Sequence, residues 1–351
     1  MTDQRDTNDA PDFRIEQSEL RDDDEMNEWS TQDLPYYIES RGSFEKLPWA
    51  TDDESLAAAN ADAAIVGVPL DDGTSGRPGA RFGPRAIRNA PTAWSTTAMW
   101  SIQLDVDPFA HLTVVDAGDA PVVPSRLARG LRVTHEKVWR VAKTGAIPLV
   151  LGGDHSITYP SAAAVARHRW PSKVGIVHFD AHADTGDEVY GSLVSHGTPM
   201  RRLIDEGWVD GRNFVQVGLR GYWPEKETFD WMREHELRWH TMVEIEERGS
   251  EAVIAEAIGQ ALDGPDCIYL SVDIDVADPS AAPGTGTPEP GGMSARELLR
   301  AVRQIVGAVE LAGMDVVEVS PPYDQSELTA MLAHRCVMEA ISALAKKRAD
   351  A

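Results

Sequence analysis

The chain has 351 residues, 42% of them hydrophobic, and a formal net charge of −24. That length can bury a large core. The acidic balance argues against a nucleic-acid binder, and no apolar run approaches the ~20 residues of a membrane span. The two cysteines, Cys267 and Cys336, are too few and too scattered for a disulfide framework or a thiolate metal site. The N-terminus lacks the basic-then-apolar order of a secretory signal, so a cytoplasmic chain is expected.

Residues 1–26 are polar and acidic, ending in Arg21-Asp22-Asp23-Asp24-Glu25. A mobile tail is expected there, because so little of it can be buried. Residues 27–60 carry Trp29, Tyr36, Tyr37, Phe44 and Trp49, which reads as an extension packing on the body or on a neighbouring subunit. From residue 61 to 351, short β-rich runs alternate with helical stretches. The runs are 63–68, 112–116, 147–151, 174–180, 214–218, 267–273 and 314–319; helical segments lie between several of them, at 126–144, 250–263 and 295–309. Such alternation predicts a parallel sheet covered by helices on both faces.

In open α/β sheets, sites lie beyond the carboxyl ends of strands. Three predicted strands run straight into acidic residues or histidine. The first enters Gly152-Gly153-Asp154-His155-Ser156, where the glycines permit a sharp turn and His155 reaches the sheet rim. By itself that position more often holds a structural histidine.

The second enters Asp180-Ala181-His182-Ala183-Asp184. Side chains at alternate positions of an extended segment share a face, so Asp180, His182 and Asp184 point together. A helix cap accounts for one of them but hardly for three; a cation answers all three. The third enters Asp273-Ile274-Asp275, where two close carboxylates again call for a neutralising charge. Asp278-Pro279 reads as a turn and helix start rather than a ligand.

Four carboxylates and two imidazoles without a thiolate form a hard donor set. It suits Mn²⁺, admits Fe²⁺, Co²⁺ or Ni²⁺, and disfavours tetrahedral structural Zn²⁺. Six donors serve a pair of ions ~3.5–4 Å apart better than a single ion, and such a pair activates water for hydrolysis at neutral pH.

These three segments, in this order, resemble the signatures of the ureohydrolase family of arginases and agmatinases. Two further stretches resemble its agmatinase branch: residues 73–84, Gly-Thr-Ser-Gly-Arg-Pro-Gly-Ala-Arg-Phe-Gly-Pro, and residues 315–324, Asp-Val-Val-Glu-Val-Ser-Pro-Pro-Tyr-Asp. The resemblance implies a three-layer α/β/α fold with a mostly parallel eight-stranded sheet and a trimeric or hexameric assembly. It implies two divalent ions per chain, Mn²⁺ first and Ni²⁺ as the alternative. One ion would take His155, Asp180, Asp184 and Asp273; the other, Asp180, His182, Asp273 and Asp275, with Asp180 and Asp273 bridging. It further implies hydrolysis of a guanidinium to urea and an amine. Asp184 would serve as ligand and proton-handling group, Glu318 as the guanidinium's partner and His196 as proton shuttle. Taken without the family, Glu318 reads as an ordinary ion-pair residue and His196 as a loop histidine. Gly76, Gly79 and Gly83 lack dinucleotide-motif spacing and read as a site rim, with Pro84 opening a helix.

The substrate expected is a small cationic guanidino compound, agmatine first. The arginase-type Asn after Asp184 is absent, and Asp187 and Glu188 would repel an α-carboxylate if they face the pocket. Tyr222-Trp223 resembles agmatinase-like proteins acting on small substrates, which makes free guanidine the alternative; the bland reading of the pair is interface aromatics. Guanidinobutyrate would need a basic partner, for which Arg77 and Arg220 are candidates. From other classes, a formiminoglutamase-type hydrolysis and a non-catalytic metal-stabilised scaffold stay open.

Overall fold

The structure is a computed structural model that describes residues 10–13, 15, 42–90 and 99–351. Trp29, Tyr36, Tyr37 and the acidic run at 21–25 lie outside the described residues. Eight strands form one sheet: β1 (Ala63–Gly67), β2 (Val114–Asp119), β3 (Ile147–Leu151), β4 (Val174–Phe179), β5 (Phe214–Leu219), β6 (Arg238–Thr241), β7 (Cys267–Asp273) and β8 (Glu310–Val317). Their order is β2-β1-β3-β8-β7-β4-β5-β6, and every pairing is parallel.

A parallel sheet needs cover on both faces, and the strands are buried accordingly. Along β1, Ala63 and Ile65 enter one core, while Ala64 and Val66 enter the other. The second core takes Leu131 and Val138 from helix Leu127–Ala142 and Ala163 from Thr158–Arg169. The first takes Ile254, Val302 and Ala333 from helices Ser250–Ala261, Ala295–Ala308 and Leu328–Asp350. Helix Ala295–Ala308 begins at a Ser294/Glu297 capping box and buries Leu298, Ala301, Val302 and Ile305 as one stripe. Leu328–Asp350 departs from the expectation that no apolar run approaches membrane-span length. It is long and apolar enough to cross a bilayer, yet 78% of its apolar window is buried inside the protein, which makes it a core helix.

Two predicted strands move at both ends by two residues or more, and three others change one end by a single residue. The run at 112–116 becomes β2, starting later and ending at Asp119. The run at 314–319 becomes β8, which starts at the exposed Glu310 and stops before Glu318. β6 has no counterpart in the predicted set.

The described part of the N-terminal region packs on this body. Phe44 is buried, stacks on His334 with ring centroids 4.2 Å apart, and donates its backbone N–H to Asp116 Oδ2 at 2.9 Å. Asp116 also receives the buried Arg88 through Nε and Nη2 at 2.8 and 2.9 Å. Phe13 lies flat against His135, with centroids 4.3 Å apart.

Four adjacent strands in the middle of the sheet, β3-β8-β7-β4, have carboxyl ends that lead into His155, Glu318, Asp273 and Asp180 respectively. The order of strands therefore brings together residues far apart in the chain.

Candidate metal centre and active site

The turn after β3 works because residue 153 has no side chain. A Cβ there would collide with the backbone carbonyls of Leu70 and Val68. Gly153 donates its N–H to Val68 O at 3.0 Å and accepts from the Glu318 N–H at 2.8 Å. Asp154 then caps the turn by accepting from Ser156 N at 2.9 Å, and His155 follows, fully buried.

The orientation of His155 follows from its neighbours. Ser271 donates its one hydroxyl hydrogen to Asp315 Oδ1 at 2.7 Å, so its oxygen accepts from His155 Nε2–H at 3.0 Å. Nε2 thus carries a proton, and in the neutral ring Nδ1 carries a lone pair. That lone pair faces Asp184 at 2.9 Å, Asp273 at 3.1 Å and Asp180 at 3.2 Å. Nδ1 has no hydrogen bond among the described residues. Burial opposes a charge on the ring, but Asp180, Asp184 and Asp273 outweigh it and raise His155 well above its ordinary value, so the position calls for positive charge among the carboxylates, a proton on Nδ1 or a metal ion. Burial, with the charges of Asp275 and Asp180, pushes the Asp273 carboxyl well above the usual range, and burial likewise raises Asp184 and Asp275. A divalent ion reverses that balance.

A second group adjoins the first. Asp180, His182 and Asp275 bring ligand atoms within 4.8 Å of one another, with His182 Nδ1 lying 3.1 Å from Asp275 Oδ2 and 3.4 Å from Asp180 Oδ1. Ala181 N–H and Thr287 Oγ1 hold Asp275, at 3.1 and 3.2 Å. All six residues of the predicted donor set therefore stand together, and their chemistry fits a pair of hard divalent cations.

His178 joins this cluster although the sequence reading passed over it. Its Nδ1 accepts from Gln216 Nε2 at 3.3 Å, so Nε2–H donates to Asp180 Oδ2 at 2.9 Å. Gln216 is itself oriented by donating to the Ala183 carbonyl. His178 thereby aims Asp180 rather than offering a lone pair of its own. The signal was present: His178 continues the alternate-position series of 180, 182 and 184 back into the strand.

Glu318 lies beside the cluster, with φ of 63°, a left-handed conformation that non-glycine residues seldom adopt. Its Oε1 accepts from His155 N–H at 2.9 Å and from His196 Nδ1 at 3.0 Å. Its Oε2 is buried with no hydrogen bond among the described residues. Burial disfavours a second proton on His196, but Glu318 opposite, with Asp184 and Asp154 behind it, outweighs burial and lifts the imidazole to about 9.

Trp223 lies at this site and Tyr222 does not. The Trp223 ring meets His182 edge-on, with centroids 6.1 Å apart, and approaches the Cβ positions of Gly197 and Gly186 at 3.4 and 3.7 Å. Tyr222 is fully exposed. The two arginines considered for an anionic substrate are engaged elsewhere. Arg220 donates to the carbonyls of Asp275 at 2.7 Å and Glu289 at 2.6 Å, and Arg77 to those of Thr285 at 2.8 Å and Gly286 at 3.2 Å while stacking on Tyr323. Asp187 is exposed and paired with Arg201 and Arg202 at 3.4 and 3.2 Å, so it cannot serve as the expected repulsive wall.

Residues 61–343 match the family model described as Arginase family. The chain belongs to the arginase family. It is 42% identical over 306 residues to the mitochondrial guanidino acid hydrolase of Homo sapiens, covering 87% of this chain and 83% of that protein. It is 41% identical over 301 residues to the mitochondrial agmatinase of Gallus gallus, covering 85% and 84%. Among solved structures, the proclavaminate amidino hydrolase of Streptomyces clavuligerus superposes with a TM-score of 0.78 at 37% identity, covering 87% of this chain and 97% of that one. The family member described here is thus a hydrolase acting on amidino C–N bonds of a guanidino compound, with the arginase-like fold.

Proposed function

We propose that the protein hydrolyses a small guanidino compound whose remaining part is not anionic, agmatine first, to urea and an amine. The observation carrying this reading is the buried, unbonded Glu318 Oε2 beside the carboxylate cluster, since a planar guanidinium donates well to such an oxygen. The engagement of Arg220 and Arg77 with backbone carbonyls supports the absence of an anionic tail.

His155, Asp180, Asp184 and Asp273 would hold one Mn²⁺; Asp180, His182, Asp273 and Asp275 would hold the other. When bound, the pair supplies Lewis acidity and a hydrolytic nucleophile at neutral pH. Glu318 orients the guanidinium so that its carbon faces the carboxylate cluster, and its unshared oxygen takes one N–H. Asp184, on its left-handed turn with φ of 50°, accepts a proton from the attacking water. His196, bonded to Glu318, supplies a proton toward the departing amine nitrogen.

A second reading, free guanidine hydrolysis with Ni²⁺, is favoured by Trp223, whose ring beside His182 narrows the room for a substrate tail. Urea release from agmatine, guanidine, guanidinobutyrate and arginine, each with Mn²⁺ or Ni²⁺, separates these readings. Fastest release from agmatine is expected. Urea from guanidine alone would select the second reading, and formamide from a formimino substrate in place of any urea would overturn both. A cytoplasmic location and a trimer or hexamer belong to the same proposal and are tested by fractionation and sedimentation.

A further inference from the structure

His196 sits between a buried group and an exposed one. On its inner side Nδ1 meets Glu318 Oε1 at 3.0 Å, and Glu318 is 1% exposed. On its outer side Nε2 receives the backbone N–H of Ser75 at 3.0 Å, and Ser75 Oγ lies 2.6 Å from the same nitrogen. Ser75 is exposed at the rim.

The Ser75 amide fixes the protonation of the ring. A backbone N–H can only donate, so Nε2 is an acceptor, and in the neutral imidazole the hydrogen resides on Nδ1 and points to Glu318. The rim segment that carries Ser75 is tied down on both sides. Gly73 N donates to Asp154 Oδ2 at 2.7 Å and Gly79 N to Asp71 Oδ2 at 2.7 Å, while the Gly73 carbonyl accepts from His196 N at 3.0 Å. His196 is therefore held to the rim segment through two backbone contacts, with the Ser75 N–H and the Gly73 carbonyl, besides the Ser75 hydroxyl.

We propose that Ser75 is the outer member of a proton relay, solvent to Ser75 Oγ to His196 to the leaving nitrogen at Glu318. The reading rests on the hydrolysis proposed above. In the inward transfer the Ser75 O–H bond breaks and an N–H bond forms at His196 Nε2. The Nδ1–H bond breaks and its proton goes to the departing amine nitrogen. Ser75 Oγ regains a hydrogen from a solvent or buffer acid, so the serine ends unchanged and the ring ends neutral, protonated on Nε2. That tautomer cannot accept the Ser75 amide. The ring returns to its starting form by losing the Nε2 proton outward through Ser75 Oγ and taking at Nδ1 the proton that Asp184 accepted from the attacking water, which leaves Asp184 ionised for the next cycle.

The test uses the full chain. Ser75→Ala keeps the backbone N–H and removes only the hydroxyl. It should lower kcat by roughly 10-fold to 100-fold in dilute buffer, within the lower range for positioned proton transfer, with KM unchanged. Added imidazole buffer should restore turnover, and Ser75→Thr should retain it. In metal-free protein labelled with ¹⁵N-histidine, at a pH above the value of about 9 to which Glu318 lifts the ring, His196 should show the Nδ1–H tautomer. Wild-type kcat for Ser75→Ala in dilute buffer would overturn the relay, as would a loss that neither imidazole nor threonine relieves. An Nε2–H tautomer in the resting protein would overturn it independently of any substrate. Absence of urea from every guanidino compound with the wild type would instead sink the hydrolysis reading.

Discussion

Asp273 and His196 lie near one centre and should fail differently when removed. Asp273 Oδ2 lies 3.1 Å from His155 Nδ1 in the middle of the carboxylate cluster, so Asp273→Ala should abolish both bound ions and turnover together. Metal content by mass spectrometry checks this; two ions retained per chain would contradict the proposal that Asp273 serves both. His196 touches Glu318 and Ser75 but none of the six proposed ligands within hydrogen-bond distance. His196→Ala should lower turnover by about 10²-fold to 10⁴-fold with metal content unchanged, and metal loss would make it a ligand. At this scale the sequence was informative wherever a two-residue period operates, as at Asp180, His182 and Asp184 or at Asp273 and Asp275. It was silent on Ser75, Ser271 and Asp315, which act on histidines 121, 116 and 160 positions away through contacts that only the finished sheet creates. The lone-pair argument for His155 depends wholly on Ser271 and Asp315, which is why the sequence by itself left His155 the weakest of the six.

The turn after β3 concentrates several demands on one short element. Gly153→Ala would force a methyl group into the carbonyls of Leu70 and Val68, and because backbone rather than a flexible side chain must yield, destabilisation of at least ~1–3 kcal/mol is expected. Chemical denaturation checks this, and an unchanged midpoint would show that the turn relaxes freely. Helix Leu127–Ala142 gives a pH signature. Burial first, then the charge of Arg167, pulls His135 down to about 4. An unfolded histidine titrates near ~6.5, so between those values the unfolded chain binds the additional proton. Stability is therefore complete above pH ~6.5 and falls as the pH drops toward 4, by up to about 3 kcal/mol. His135→Leu should remove that component, measured as a smaller gap between urea midpoints at pH 7 and pH 4.5 than in the wild type; equal gaps would refute it. Elements were legible to the extent that they were apolar. β6 was missed because Arg238-Trp239-His240-Thr241 is a short edge strand with only His240 buried, so no apolar run marked it. The far end of β8 was overextended because Glu318 and Val319 continue its composition, while the left-handed φ of Glu318 ends the strand.

Across the whole molecule, the central strands place uncompensated acid in a dry interior, so divalent ions should stabilise the fold as well as serve catalysis. Chelation should lower the thermal midpoint and added Mn²⁺ should restore it. A ligand present at 100 times its dissociation constant contributes about 2.7 kcal/mol. Identical midpoints with and without chelator would separate the site from stability. The layered architecture followed from strand-and-helix alternation, but the strand order did not, because β7 and β8 insert between β3 and β4 and nothing local in their sequences specifies that insertion. The insertion has a consequence for synthesis. His155, Asp180, His182 and Asp184 leave the ribosome early, while Asp273, Asp275 and Glu318 emerge with the last quarter of the chain. A nascent chain therefore cannot complete the centre until β7 and β8 have been made and have paired between β3 and β4. The full donor set is then available to a metal ion only once nearly the whole chain has been synthesised.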